Sequence, residues 1–195
     1  MPSFVPFSSY SFSVVVVVLL LPNPTPSLTS AFALATLTTV PGGDLDLIRR
    51  TCNSTTYFDL CVSSLQSYPN SSKADVKGLS TIVVNLGISN ATSTSTYASR
   101  VAKRSRDPVL RSALGRCAGR YADARDALRS ALDALSAENY DFASVDVSAA
   151  AGYADTCHSL FRLSPAPAYP AEMARREEAL VRLCTIATDI ISLLG

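Results

Sequence analysis

Cysteine, histidine and glycosylatable asparagine are the residue types here whose chemistry goes beyond packing. Five cysteines, Cys52, Cys61, Cys117, Cys157 and Cys184, follow a stretch without charge. In an oxidising compartment such residues pair as disulfides, and four of them allow three connectivities, with a fifth enlarging the choice. Three Asn-X-Ser/Thr triplets begin at Asn53, Asn70 and Asn90, each an acceptor for N-linked glycan if the chain is exported. Asn23-Pro24-Thr25 is excluded because proline blocks the acceptor geometry. The one histidine, His158, stands beside Cys157 and is a candidate for a pH-dependent contact in an acidic compartment, although an isolated surface histidine ordinarily has no role. One histidine, no tryptophan and eight glycines argue against a metal cluster, a dinucleotide fold and a histidine-based triad. No cofactor is expected. No grouping supplies nucleophile, base and oxyanion donor together, so the chain does not read as an enzyme.

All 17 basic and 16 acidic residues lie after Gly43, so the positive mean hydropathy belongs to the leader. Phe12–Leu21 is an apolar run too short to span a bilayer, ending at a proline-rich break. With small residues at Ala31, Ala33 and Ala35, it predicts a signal peptide over 1–35 with cleavage near 33–43, an uncleaved anchor being the rival. The remaining 44–195 carries about 22% charge, ordinary for a globular domain. Its net charge of +1 excludes bulk electrostatic binding of nucleic acid.

Four amphipathic helical patterns follow, with no alternating strand pattern. The first runs Ala74–Arg104, entered by a capping box at Ser72–Asp75, with a Ser/Thr-rich middle that invites a kink. The second opens on Asp107-Pro108, an acidic cap before a first-turn proline. Its seam of Leu110, Leu114, Cys117, Tyr121, Ala124, Leu128, Leu132 and Leu135 is the strongest periodic signal. The third is read with Phe142, Val145, Ala149, Tyr153, Cys157 and Leu160 on its core face. A proline-rich connector at Ser164–Pro170 precedes the fourth, which carries Met173, Leu180, Cys184, Ala187, Ile191 and Leu194. No stripe can be buried alone, so the expected fold is all-α: an up-down-up-down four-helix bundle over 73–194, preceded by a helical hairpin over 44–70.

In an antiparallel helix pair, facing residues have numbers that sum to a constant. Leu114 with Leu160, Tyr121 with Tyr153, Leu132 with Phe142 and Cys117 with Cys157 all share one value, which places the two thiols at one level. Geometry thus favours Cys117–Cys157, nearness in sequence favours Cys52–Cys61, and Cys184 is left as a free thiol on an apolar stripe, read as a small filler rather than a redox group. Gly115 and Gly119, flanking Cys117, are read as allowing the close approach such a crosslink needs.

The segment Cys52 with Thr55-Thr56-Tyr57-Phe58-Asp59-Leu60-Cys61-Val62-Ser63-Ser64-Leu65 resembles the opening of plant invertase and pectin methylesterase inhibitors. Ala74–Leu79, Cys117–Ala124, Val147–Ala150 and Asp155-Thr156-Cys157 continue the resemblance, which covers about Asp46–Leu194 and is strongest to the invertase inhibitors of the plane-tree pollen allergen type. The resemblance implies a secreted or vacuolar helical bundle with first-to-second and third-to-fourth disulfides. It also implies inhibition by covering the cleft of an acid invertase (a β-fructofuranosidase) or a pectin methylesterase, and location in the apoplast or cell wall, with the vacuole as the alternative. The Pro-Lys-Phe tripeptide that some invertase inhibitors use is absent; the aligned turn reads Glu138-Asn139-Tyr140-Asp141-Phe142.

Asn139, Tyr140 and Asp141 are therefore the expected partner contacts, an exposed turn offering an aromatic anchor. The plainer reading makes Asn139 or Asp141 a helix cap and Tyr140 a shield for the hairpin's end. Arg100–Arg120 holds seven basic residues against Asp107, whereas Tyr121–Leu160 is predominantly acidic. That asymmetry would steer a charged enzyme or polyanionic pectin, unless the two faces are merely solvated. A secreted helical ligand or a storage-like pollen protein without inhibitory activity is the remaining alternative.

Overall fold

The computed structural model describes residues 43–162 and 167–195, so the expected leader and part of the proline-rich connector lie outside the described residues. Two short helices, α1 (Gly43–Asn53) and α2 (Phe58–Gln66), form an N-terminal hairpin closed by a Cys52–Cys61 disulfide. A single 3-10 turn at Ser71–Lys73 leads into α3 (Val76–Arg104), followed by α4 (Pro108–Ser136), α5 (Tyr140–Leu160) and α6 (Ala171–Ile191). In the resulting bundle α4 packs between α3 and α5, and α6 closes the ring against α3 and α5. The described residues contain no strand. None of their helices is long and apolar enough to cross a membrane.

Local chemistry sets the helix ends. Asp75, rather than Ser72, caps α3, accepting from the Gly78 amide at 2.7 Å; the Ser72 segment is spent on the 3-10 turn. Asp107 caps α4 through the Val109 and Leu110 amides, and Pro108 takes the first position, where no amide donor is required. The Ser/Thr-rich middle of α3 remains helical. Ser89, Thr92 and Thr96 bond back to carbonyls four residues earlier, and Ser95 reaches across to the Ala118 carbonyl of α4 at 2.8 Å.

Of the predicted α4 seam, Leu114, Cys117, Tyr121, Ala124, Leu128 and Leu135 are buried, while Leu110 and Leu132 are part-buried against the core. The α5 seam departs from its prediction. Its buried residues are Ala143, Val147, Ala150, Ala154 and Cys157, while Phe142 and Val145 are 65% and 64% exposed. The reason is steric: three alanines on the inner face let α5 approach α4 closely, and the larger side chains are turned outward. The helix register is unaffected, because Ala124 with Ala150 and Ala131 with Ala143 keep the same number sum as Cys117 with Cys157. Those two cysteines form a disulfide with Cα atoms 4.8 Å apart.

Close approach also occurs where the sequence did not advertise it. A Cβ on Gly87 of α3 would lie 3.1 Å from Leu128 Cδ1, so this glycine lets α4 and α6 leucines pack on the α3 backbone. Gly115 and Gly119 have open space where a Cβ would be and are exposed, so they do not permit the crosslink. The hairpin is tied to the bundle by the Thr56 amide, which donates to Asp189 Oδ2 of α6 at 2.7 Å, and by the Arg182 guanidinium 5.3 Å from the Tyr57 ring centroid.

Candidate functional site

The α4–α5 turn is built by backbone rules. Glu138 adopts φ 56°, the left-handed conformation that follows many helix C-termini. The Glu138 amide donates to Leu135 O at 3.1 Å and the Asn139 amide to Ala134 O at 2.9 Å, which satisfies the last carbonyls of α4. Asn139 then caps α5 through its side-chain oxygen, which accepts from the Phe142 amide at 3.4 Å. Two helix ends are thereby fixed within three residues, and the turn is held firmly.

This end of the bundle collects exposed apolar surface. Phe142 and Val145 project from the first turns of α5, and Leu193, 47% exposed, follows the end of α6. Tyr140 is half-buried: its ring lies 3.1 Å from where a Cβ on Gly195 would be. Of the expected contacts, Asp141 is exposed, Asn139 is exposed but engaged as a cap, and Tyr140 shields the hairpin's end. Phe142, read from the sequence as core, is the freest aromatic in the turn.

An ion pair braces the same surface. Lys77 Nζ on α3 donates to Glu138 Oε1 at 2.9 Å. That hydrogen bond first, and the carboxylate's charge second, hold the Lys77 pKa above its ordinary value. Beside it lies a shallow groove lined by Lys77, Thr81, Leu132, Leu135 and Ser136. The site therefore offers an aromatic and two aliphatic side chains rimmed by carboxylates, held on rigid helix ends. This is recognition geometry; the residues hold no grouping for bond-making chemistry.

At the other end of α5, His158 is part of a built cluster. Its ring stacks on Tyr169 with centroids 4.6 Å apart, and Nδ1 is 3.2 Å from Glu177 Oε1 of α6. The Tyr169 hydroxyl is 3.7 Å from Cys157 Sγ, and burial raises the pKa of both Tyr121 and Tyr169. The cluster pins the segment entering α6 over the Cys117–Cys157 disulfide. Neither Tyr169 nor Glu177 was singled out from the sequence, because only the folded contact between α5 and α6 brings them to His158.

Cys184 is free, 3% exposed, and burial pushes its thiol up to about 12. Asn53 is exposed at the end of α1. Asn70 is exposed in a left-handed turn with φ 63°, and Asn90 is half-buried in the middle of α3. The described residues contain no group of three or more His, Cys, Asp or Glu side chains placed to hold a metal ion.

Residues 46–190 match the family described as plant invertase/pectin methylesterase inhibitor. A protein named Pectinesterase inhibitor 28 from Oryza sativa subsp. japonica is 46% identical over 76% of this chain and 69% of its own length. A protein named Cell wall / vacuolar inhibitor of fructosidase 2 from Arabidopsis thaliana is 40% identical over 84% of this chain and 92% of its own. The fold is that of a solved pectin methylesterase inhibitor from Arabidopsis, in mutant form. It superimposes with a TM-score of 0.63 at 22% identity, covering 78% of this chain and 98% of that one.

Proposed function

Because the chain belongs to the plant invertase/pectin methylesterase inhibitor family, whose members are inhibitors and not enzymes, we propose that it inhibits a plant acid invertase by protein–protein contact. The inhibitory surface is the end of the bundle centred on Asn139, Tyr140, Asp141 and Phe142. The observation that carries this reading is the exposed Phe142–Val145 pair beside a doubly capped turn. Large apolar side chains held out in water by rigid backbone lose little entropy on docking into a cleft. The choice of invertase rests on the fructosidase inhibitor matched over 92% of its own length. The cell wall or vacuole, named in the same relative, is the compartment we assign.

Pectin methylesterase is the second reading, favoured by the 46% identity to a pectinesterase inhibitor. The test is residual activity of each enzyme after incubation with the purified protein between pH 4 and 7. Loss of invertase activity at micromolar protein supports the first reading. Loss of esterase activity alone moves the target to pectin methylesterase, and loss of neither refutes both.

A further inference from the structure

We infer that the outer surface at the α3–α4 end of the bundle binds an acidic polysaccharide, a chain of uronate residues. Arg100, Lys103, Arg104, Arg106 and Arg111 crowd the last turns of α3, the link to α4 and the first turn of α4. Among the described residues none of the five makes an ion pair, although the chain forms such pairs on α1, α4 and α6. The one acid in the stretch, Asp107, is engaged with two helix amides. A concentration of unneutralised cations costs self-repulsion, which a polyanion relieves.

The shape and chemistry of the surface select among polyanions. A groove of about 430 Å³ is lined by Ser95, Thr96, Ser99, Arg100, Lys103 and Arg104. The Ser95 hydroxyl donates to Ala118 O and that of Thr96 to Thr92 O, which leaves their oxygens free to accept from a ligand hydroxyl. Ser99 makes no side-chain hydrogen bond among the described residues. Three hydroxyl side chains, Ser95, Thr96 and Ser99, lead along the groove into three cations, Arg100, Lys103 and Arg104, a combination that suits a chain carrying both hydroxyls and carboxylates, as a uronate polymer does. Arg100 and Arg104 lie one helical turn apart, about 6 Å along the axis, comparable with one pyranose unit. Nucleic acid fits less well, because the adjacent aromatic, Tyr97, already has the Arg100 and Arg176 guanidiniums 5.6 and 4.7 Å from its ring centroid, which compete with base stacking. The surface lies at the opposite end of α4 from the inhibitory turn, so both can be occupied at once.

The test titrates the full protein against an end-labelled polygalacturonate oligomer, its fully methyl-esterified form, single-stranded DNA of equal charge and anionic lipid vesicles. The acid oligomer binds at least tenfold more tightly than the ester, and its binding weakens at least tenfold between 50 and 300 mM salt. Arg100→Gln/Lys103→Gln/Arg104→Gln weakens it at least tenfold while melting temperature and enzyme inhibition stay unchanged. Arg175→Gln/Arg182→Gln, which removes two positive charges from α6, leaves binding unchanged. Lys103→Glu alone weakens binding about fivefold, so the test survives a misfolded triple variant. Equal binding of the ester, tighter binding of DNA or vesicles, or an equal effect of the α6 variant overturns the proposal. The binding readouts are independent of whether either enzyme is inhibited.

Discussion

Replacing Phe142 with alanine separates the proposed contact surface from the fold. Its side chain is 65% exposed, so only about a third of it is removed from water on folding. Full burial of a phenylalanine is worth roughly 1.5–3 kcal/mol, so the loss of stability is about 0.5–1 kcal/mol and the melting temperature falls by no more than about 4 °C. Seated in an enzyme groove, the same ring becomes an anchor whose truncation costs at least about 2 kcal/mol, roughly a 30-fold rise in inhibition constant. Leu128→Ala is the control: Leu128 is 1% exposed, so its loss costs about 2–5 kcal/mol of stability while leaving the turn in place. Differential scanning calorimetry gives the first quantity and steady-state inhibition at 20 °C the second. An unchanged inhibition constant for Phe142→Ala refutes the placement of the contact surface. A melting temperature lowered as far as in Leu128→Ala refutes the reading of α5, since Phe142 would then belong to the core.

Removing the Cys117–Cys157 bridge by double alanine substitution costs about 4 kcal/mol and removing Cys52–Cys61 about 2.6 kcal/mol, from loops of 40 and 9 residues. Urea unfolding of both variants checks this, and the reverse order contradicts the chain-entropy argument. The Cys184 thiol resists Ellman's reagent at pH 8 in the native protein and reacts on unfolding. Because its folded pKa lies above the unfolded value near 9, the folded state holds the proton longer, and stability falls as pH rises from about 9 to about 12. Cys184→Ala removes that part of the slope, and an unaltered slope assigns it elsewhere. When the protein is produced through a secretory pathway, Asn70 carries glycan, being exposed in a turn; a mass that changes on Asn70→Gln only by the one added methylene contradicts this.

The elements read most clearly were those whose inner face carries large side chains. On α4 leucine, cysteine and tyrosine recur at helical spacing, and burial follows that spacing. On α5 the inner face is mostly alanine, so side-chain size points instead to the outward Phe142 and Val145. The predicted level of Cys117 and Cys157 does not depend on which face of α5 is inward, because the number sum in a helical hairpin survives rotation of one helix about its axis. The α4–α5 turn is legible in position but not in detail. Nothing in the residue types alone says that Glu138 takes the left-handed position, that Asn139 is used up as a cap, or that Tyr140 folds down against the C-terminus. The His158 cluster had no periodic signal at all, since Tyr169 and Glu177 meet it only through tertiary packing.

The 29 residues of α4 separate its two ends by about 43 Å. Arg100, Lys103, Arg104, Arg106 and Arg111 gather about one end, while at the other Asp133, Glu138, Asp141 and Asp146 outnumber Lys73 and Lys77. The bundle is consequently an electric dipole directed along its own length, despite a net charge of only +1. In the field of an anionic matrix such a rod feels a torque before it feels any contact. It would anchor by its cationic end and hold its blunt aromatic tip outward, and its tumbling would be partly biased before any enzyme arrives.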